Sequence, residues 1–358
     1  MRTRRLSTIV AAAFAVTALA TGITVSYPAS SSAADASGIQ RQAWLYPGSP
    51  GESQCTAPAE YRDDRVKSGA LKPEYWYINS DGTLHLETTA EGLCNAYSTA
   101  NVADLKAHSA SQYPTVSGMT ASDVRALVSS STKRSNAVSQ LTTLITNNGL
   151  SGVDVDFEDY WSWSTTDFSN YKKFLQQLAS SLHAQGKRLQ VDAPAMTEDA
   201  SFYDYAQVIA TGVDELAIMA YDEQYDTPDG ARCLPITPYD WLATVTNYAK
   251  SKVPDTSRLV MALPSYGYSA PDPCDLNSVN GNIQFSAMKQ SPGFSSDPAT
   301  VERRRDPSSG EIRWTSGGVL YDYVDSTAMD RKLAVLADLG ITKVSVWSLG
   351  GGNPWFTS

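Results

Sequence analysis

The sequence is poor in the residues that most often carry metal or triad chemistry. Its 358 residues hold only three histidines, His85, His108 and His183. They lie far apart without ligand spacing, which argues against a zinc site and a histidine-based triad. None of the four cysteines forms a CxxC pair. After Arg5 no run of lysine or arginine exceeds the three of Arg303-Arg304-Arg305, and 38 acidic against 28 basic residues leave a net charge of −10. Nucleic acid and anionic membrane surfaces are therefore poor partners. No internal repeat and no Pro/Gly/Ser-rich linker follows residue 34, so a separate binding module is not evident.

What is present begins with a leader. Arg2, Arg4 and Arg5 precede an apolar stretch from Ile9 to about Val25, and a Ser/Ala-rich segment ends at Ala33 and Ala34. This is the layout of a secretory signal over residues 1–34, so residues 35–358 are expected to work outside the cell. Loss of the three arginines takes the net charge from −10 to −13. In an exported chain an even set of cysteines favours disulfides. Four cysteines allow three connectivities; the strand order below favours Cys55 with Cys94 and Cys233 with Cys274, because each pair would join loops from neighbouring strands.

Short apolar runs alternate with longer stretches of helical period. The pattern predicts strands over 41–45, 74–78, 105–108, 152–158, 188–193, 215–221, 259–264 and 343–347. Helices are predicted over 122–148, 166–185, 203–210, 238–251 and 327–339. Strand then helix, repeated eight times, points to an α/β fold of the single-domain (β/α)8 TIM barrel type. Residues 269–317 are rich in Pro, Asp, Asn and Ser and too long for a minimal connection, which suggests an inserted lobe or an irregular loop.

The most informative segment is Ser151-Gly152-Val153-Asp154-Val155-Asp156-Phe157-Glu158. Its period of two sends Asp154, Asp156 and Glu158 to one face and Val153, Val155 and Phe157 to the other. Three acids in single file on an apolar strand would repel one another unless they shared protons or met a solvated cleft. In a barrel of this type the active site sits at the C-terminal ends of the strands, where Glu158 falls. Same-face neighbours are about 6.6 Å apart and approach a substrate from one side. Glycosidases that use two opposed carboxylates draw them from separate strands. Here the attacking group must be water, a carboxylate elsewhere, or a group on the substrate.

This run resembles the DGxDxDxE catalytic strand of glycoside hydrolase family 18, the chitinase family. Met219-Ala220-Tyr221-Asp222 resembles the family's sixth-strand MxYD, and Trp347 stands where the family ends its eighth strand with a tryptophan. Ser151 departs from the motif's first Asp, and Phe157 from its usual Trp or Tyr. The resemblance implies a retaining, substrate-assisted reaction. Glu158 would protonate the leaving glycosidic oxygen and later activate water. Asp156 would orient the 2-acetamido group, whose carbonyl oxygen attacks the anomeric carbon, and Asp154 would tune Asp156. Tyr221 would donate to the acetamido oxygen, Asp222 would bind the sugar, Trp347 would form its floor, and Met219 and Tyr266 would line the site. No metal or cofactor is implied. The expected partner is an N-acetylglucosamine-containing polysaccharide or oligosaccharide, met by a monomeric enzyme.

The leading expectation is a secreted hydrolase of β-1,4-linked N-acetylglucosamine, in chitin or chitooligosaccharides. The stretches 219–223, 241–254, 259–268 and 346–350 are also similar to the peptidoglycan and spore-cortex N-acetylglucosaminidase branch, so peptidoglycan or an N-linked glycan is the alternative. A chitin-binding lectin without turnover is the alternative of another class. Lectin-like members typically lose the catalytic Glu, and Glu158 is retained. Tyr46, Tyr75, Trp76, Tyr77, Trp161 and Trp163 are read equally as sugar-subsite aromatics or as core.

Overall fold

A computed structural model describes residues 38–63, 65–225 and 233–352. The expected leader lies outside them. Eight parallel strands close on themselves: β1 (Gln40–Leu45), β2 (Ala70–Ile78), β3 (Thr115–Gly118), β4 (Gly152–Phe157), β5 (Arg188–Pro194), β6 (Glu215–Met219), β7 (Leu259–Pro264) and β8 (Lys343–Leu349). Each pairs with the next, and β8 pairs with β1 to shut the barrel. The fold is the expected (β/α)8 barrel, with helices packed outside it.

Two expectations are corrected. Residues 105–108 are not a strand but the end of a helix, Thr99–His108, capped by Ser98, whose Oγ accepts from the Asn101 N–H at 3.1 Å. Val102 and Leu105 bury its inner face. The third barrel strand is Thr115–Gly118, only four residues long with one large apolar side chain, Val116, too short to stand out from the sequence. The helix expected over 122–148 is two helices, Ala121–Val128 and Ser131–Asn147. Ser130 begins the second by accepting from the Lys133 N–H, a local bond that competes with a continuous helix.

Residues 267–323 form a lobe between β7 and the last helix, Ser326–Asp338. Its four antiparallel strands, Gly267–Pro271, Asn280–Ile283, Ile312–Ser316 and Val319–Tyr323, enclose Met288, Trp314 and Tyr321. Glu311 of the lobe is buried, takes the backbone N–H groups of Ile236 and Thr237 at 2.8 and 2.9 Å, and pairs with buried Lys332 at 3.0 Å.

The barrel interior has two unlike walls. Trp44, Ala217, Val260 and Ala262 form an apolar cluster with Trp347 and Tyr221 against it. Lys72, Thr115, Ser117, Asp154, Asp156, Gln190 and Asp192, on β2 to β5, are buried polar residues. Val153, Val155 and Phe157 point the other way into the layer between barrel and helices, where Phe157 stacks on Phe174 with centroids 5.5 Å apart.

Cys55 joins Cys94 and Cys233 joins Cys274, with Cα separations of 5.5 and 5.6 Å. The first bridge closes a loop 39 residues long. Replacing Cys55 and Cys94 together by serine is expected to cost about 2–4 kcal/mol, read from denaturant unfolding. An unchanged midpoint would mean that the bridge constrains little.

Candidate active site

β4 carries its acids up the barrel axis by simple alternation. Asp154 is fully buried, Asp156 is 5% exposed and Glu158 is half-buried at the mouth. The ladder to β3 sets their heights, with Thr115 beside Asp154 and Ser117 beside Asp156. The Glu158 N–H donates to the Gly118 carbonyl at 2.8 Å, so the acid stays fixed although β4 proper ends at Phe157. A Cβ on Gly118 would stand 2.7 Å from Ile78 and 3.2 Å from Phe157, so a side chain there would make its neighbours shift beside the acid. Asp159 turns the chain away with φ of 59°. Its carboxylate accepts from the Ala121 N–H at 3.0 Å and the Ser162 hydroxyl at 2.7 Å.

Asp154 Oδ2 accepts from Trp44 Nε1–H and from the Thr115 hydroxyl, both at 2.9 Å. Asp192, on β5, is buried across from it. Burial, then the charge of Asp154, pushes Asp192 well above the usual carboxylate range.

Tyr221 and Asp222 follow directly on β6, which ends at Met219 rather than at 221. Burial, then Asp192, Asp156, Glu158 and Asp222, hold the Tyr221 hydroxyl far above its ordinary pKa. It is therefore a proton-bearing donor set among four carboxyl groups. Asp222 has φ of 68° and accepts from the Tyr266 hydroxyl at 2.7 Å and from Tyr268. Burial raises its carboxyl to about 6. Tyr266 thus serves Asp222, and its ring meets Tyr221 edge-on at 6.1 Å. Met219 is half-buried beside Pro194 and Ala262.

Trp347, on β8, faces β4 across the barrel. It is half-buried, edge-on to Trp44 at 5.8 Å and to Tyr46 at 6.5 Å, and its peptide bond to Ser348 is cis. Ser265 holds the Trp347 carbonyl through its N–H at 3.0 Å and its hydroxyl at 3.1 Å. Of the other aromatics, Tyr75, Trp76 and Trp163 are core. Tyr46 and Tyr77 are half-buried, and Tyr77 lies in register with Ser117, hence at the height of Asp156. Trp161 is 58% exposed on the turn that follows Glu158.

Sequence reasoning missed Lys72 and Asp192. Both stand in strands with polar residues at every second position, Lys72 and Glu74 in β2 and Gln190 and Asp192 in β5. The same alternation that singled out β4 was there to be read.

Fold and site define a parallel barrel whose mouth sets a carboxylate column against an aromatic wall. The chain belongs to glycosyl hydrolases family 18, whose family model matches residues 66–352. It is 27% identical over 266 residues to YdhD of Bacillus subtilis (strain 168), assigned as a sporulation-specific glycosylase, covering 67% of this chain and 57% of that protein. A second relative, the uncharacterized glycosylase YvbX of the same strain, is 25% identical over 40% of this chain and 41% of its own length. The chain thus spans about half the length of these relatives. Among solved structures, a chitinase from Chromobacterium violaceum ATCC 12472 superposes with a TM-score of 0.67 at 21% identity, over 87% of this chain and 94% of that one. The spore cortex-lytic enzyme SleL of Bacillus cereus gives 0.64 at 18%, over 88% and 72%. At these identities the two structures attest the fold.

The raised carboxyl of Asp222 carries a sign. The fold prefers its neutral form, so its cost to stability is absent below the ordinary value of about 4, grows as pH rises, and is full above about 6. Asp222→Asn is expected to melt near the wild-type temperature at pH 4 and above it at pH 7. A variant relatively less stable at pH 7 would show that the carboxylate is well solvated in place.

Proposed function

We propose that this chain is a secreted, retaining hydrolase of β-1,4-linked N-acetylglucosamine in chitin or chitooligosaccharides. The observation that carries the reading is the asymmetry of the barrel mouth. Asp154, Asp156 and Glu158 rise on one wall, while the facing wall offers Trp44, Val260, Ala262 and Trp347, with Tyr221 packed against it. An indole gives a flat apolar face for a pyranose ring, and a sugar resting on it would present its glycosidic oxygen to the acids. Among the described residues the apolar cluster behind the sugar holds no carboxylate, so the 2-acetamido oxygen is the nucleophile that fits.

In this reading Glu158 gives its proton to the leaving oxygen and then takes one from water. Asp156 holds the acetamido N–H and balances the charge that forms on the ring it closes. Tyr221 donates to the acetamido oxygen, and Asp222, fixed by Tyr266 and Tyr268, receives a sugar hydroxyl.

The likeness to a protein assigned as a sporulation glycosylase and to a spore cortex-lytic enzyme supports a second reading, peptidoglycan as substrate. Product mass spectrometry on chitohexaose and purified peptidoglycan, side by side, separates the two. Shortened N-acetylglucosamine oligomers are expected, with at least a 100-fold loss for Glu158→Gln, of the size general acid catalysis contributes. Muropeptides without chitohexaose cleavage would move the substrate to the cell wall. Full activity in Glu158→Gln would remove Glu158 from its role.

The acetamido route has its own check. Deacetylated oligomers should be cut poorly, and a thiazoline mimic of the cyclised acetamido group should inhibit. Equal rates on acetylated and deacetylated oligomers would reject it.

A further inference from the structure

Lys72 is 0% exposed, in the middle of the barrel. It stands on β2 in register with Trp44 of β1, and its Nζ lies 3.0 Å from the centroid of the Trp44 ring. The ammonium donates to Gln190 Oε1 at 2.9 Å and lies 3.9 Å from Asp154 Oδ2 and 4.0 Å from Asp192 Oδ1. Gln190 is fixed in turn, since its Nε2 donates to Gln42 Oε1 at 3.0 Å and to Glu215 Oε2 at 2.8 Å. Glu215 has its own cations, Lys343 at 2.7 Å and Arg188 at 3.2 Å. The charge of Glu215 is therefore met from below, and that of Lys72 is directed upward.

We propose that Lys72 is a positioning residue for hydrolysis: its buried ammonium is the internal counter-charge of the carboxylate column and fixes how many protons Asp154, Asp192, Asp156 and Glu158 hold together. The inference rests on the reading of Glu158 and Asp156 given above and deepens it.

The charge count follows from the geometry. Asp154 accepts two neutral hydrogen bonds and has the Lys72 ammonium 3.9 Å away. Asp192, 4.0 Å from the same ammonium, is pushed well above the usual carboxylate range by burial and by the charge of Asp154. One cation thus stands against the two carboxyl groups beneath Asp156. Burial lowers the lysine below its ordinary value, while Asp154, Asp192, Glu215 and Asp156 draw it back up. Facing the column from other elements are the Tyr221 hydroxyl above and the hydroxyls of Tyr171 and Tyr203 behind Asp192, all neutral donors. No other cation lies within 4.0 Å of Asp154 or Asp192 among the described residues. Removal of the lysine charge would leave each carboxyl harder to ionise, and the column would retain a proton to higher pH.

The test is the pH profile of kcat/KM for wild type, Lys72→Met and Lys72→Gln on the glycan that the wild type cleaves, with Glu158→Gln as control. An opposite charge at such distances depresses a carboxyl by about 1–3 pH units, so the acid limb of both neutral variants should move up by about one unit or more. A lower rate at every pH with an unmoved acid limb would assign Lys72 a packing role only and overturn the proposal. A second measurement needs neither substrate nor variant. In protein labelled with ¹⁵N at the lysine side chains, the Nζ of Lys72 should resonate as an ammonium, protected from exchange, across the working pH range. A neutral amine there overturns the proposal even if the variants do not fold. Full activity in Glu158→Gln would instead defeat the parent reading, which the ¹⁵N result does not depend on.

Discussion

A file of carboxylates inside a closed barrel is the constraint on which the rest of this structure depends. An isolated buried charge is too costly to keep, so each must find a donor, a counter-ion or a proton. Asp154 finds Trp44, Thr115 and Lys72. Asp192 is pushed toward its neutral form by burial and by the charge of Asp154. Glu215, at the foot, takes Lys343 and Arg188. The polar half of the barrel is therefore a ladder of compensations that ends at Asp156 and Glu158, where solvent and substrate take over. Buried networks of this kind are costly when any member is missing, which ties the integrity of the site to residues well below it.

The other half of the barrel is packed without charge. Trp44 belongs to both halves: its ring closes the apolar wall and bears on the Lys72 ammonium, while its N–H donates to Asp154. Trp347 continues that wall to the mouth. One side of the cleft is thus aromatic and apolar and the other acidic. The lobe at 267–323 adds Tyr268, which with Tyr266 holds Asp222 at the rim.

Much of this could be read from the chain. Alternation in 152–158 gave the acidic face, the run of strands gave the barrel, and loop adjacency gave both disulfides. The third strand could not be read in the same way, because four residues with one large apolar side chain give no periodic signal and a capped helix lay close by. Lys72 escaped notice for a different reason. A lysine in a strand is ordinarily solvated, and only the arrangement of β4 and β5 around it shows that its charge is enclosed. The hydrogen bond from Tyr266 to Asp222 depends on a turn at positive φ that no pattern announces.

The stereochemical course of hydrolysis tests the account most directly, because a column of acids on one wall with an indole on the other requires the substrate to supply its own nucleophile. Proton NMR of the first product formed from a β-linked N-acetylglucosamine oligomer, recorded before mutarotation, distinguishes the outcomes. The account predicts the β-anomer, formed through two displacements. Initial release of the α-anomer would mean that water attacks directly from the far face, and would contradict it.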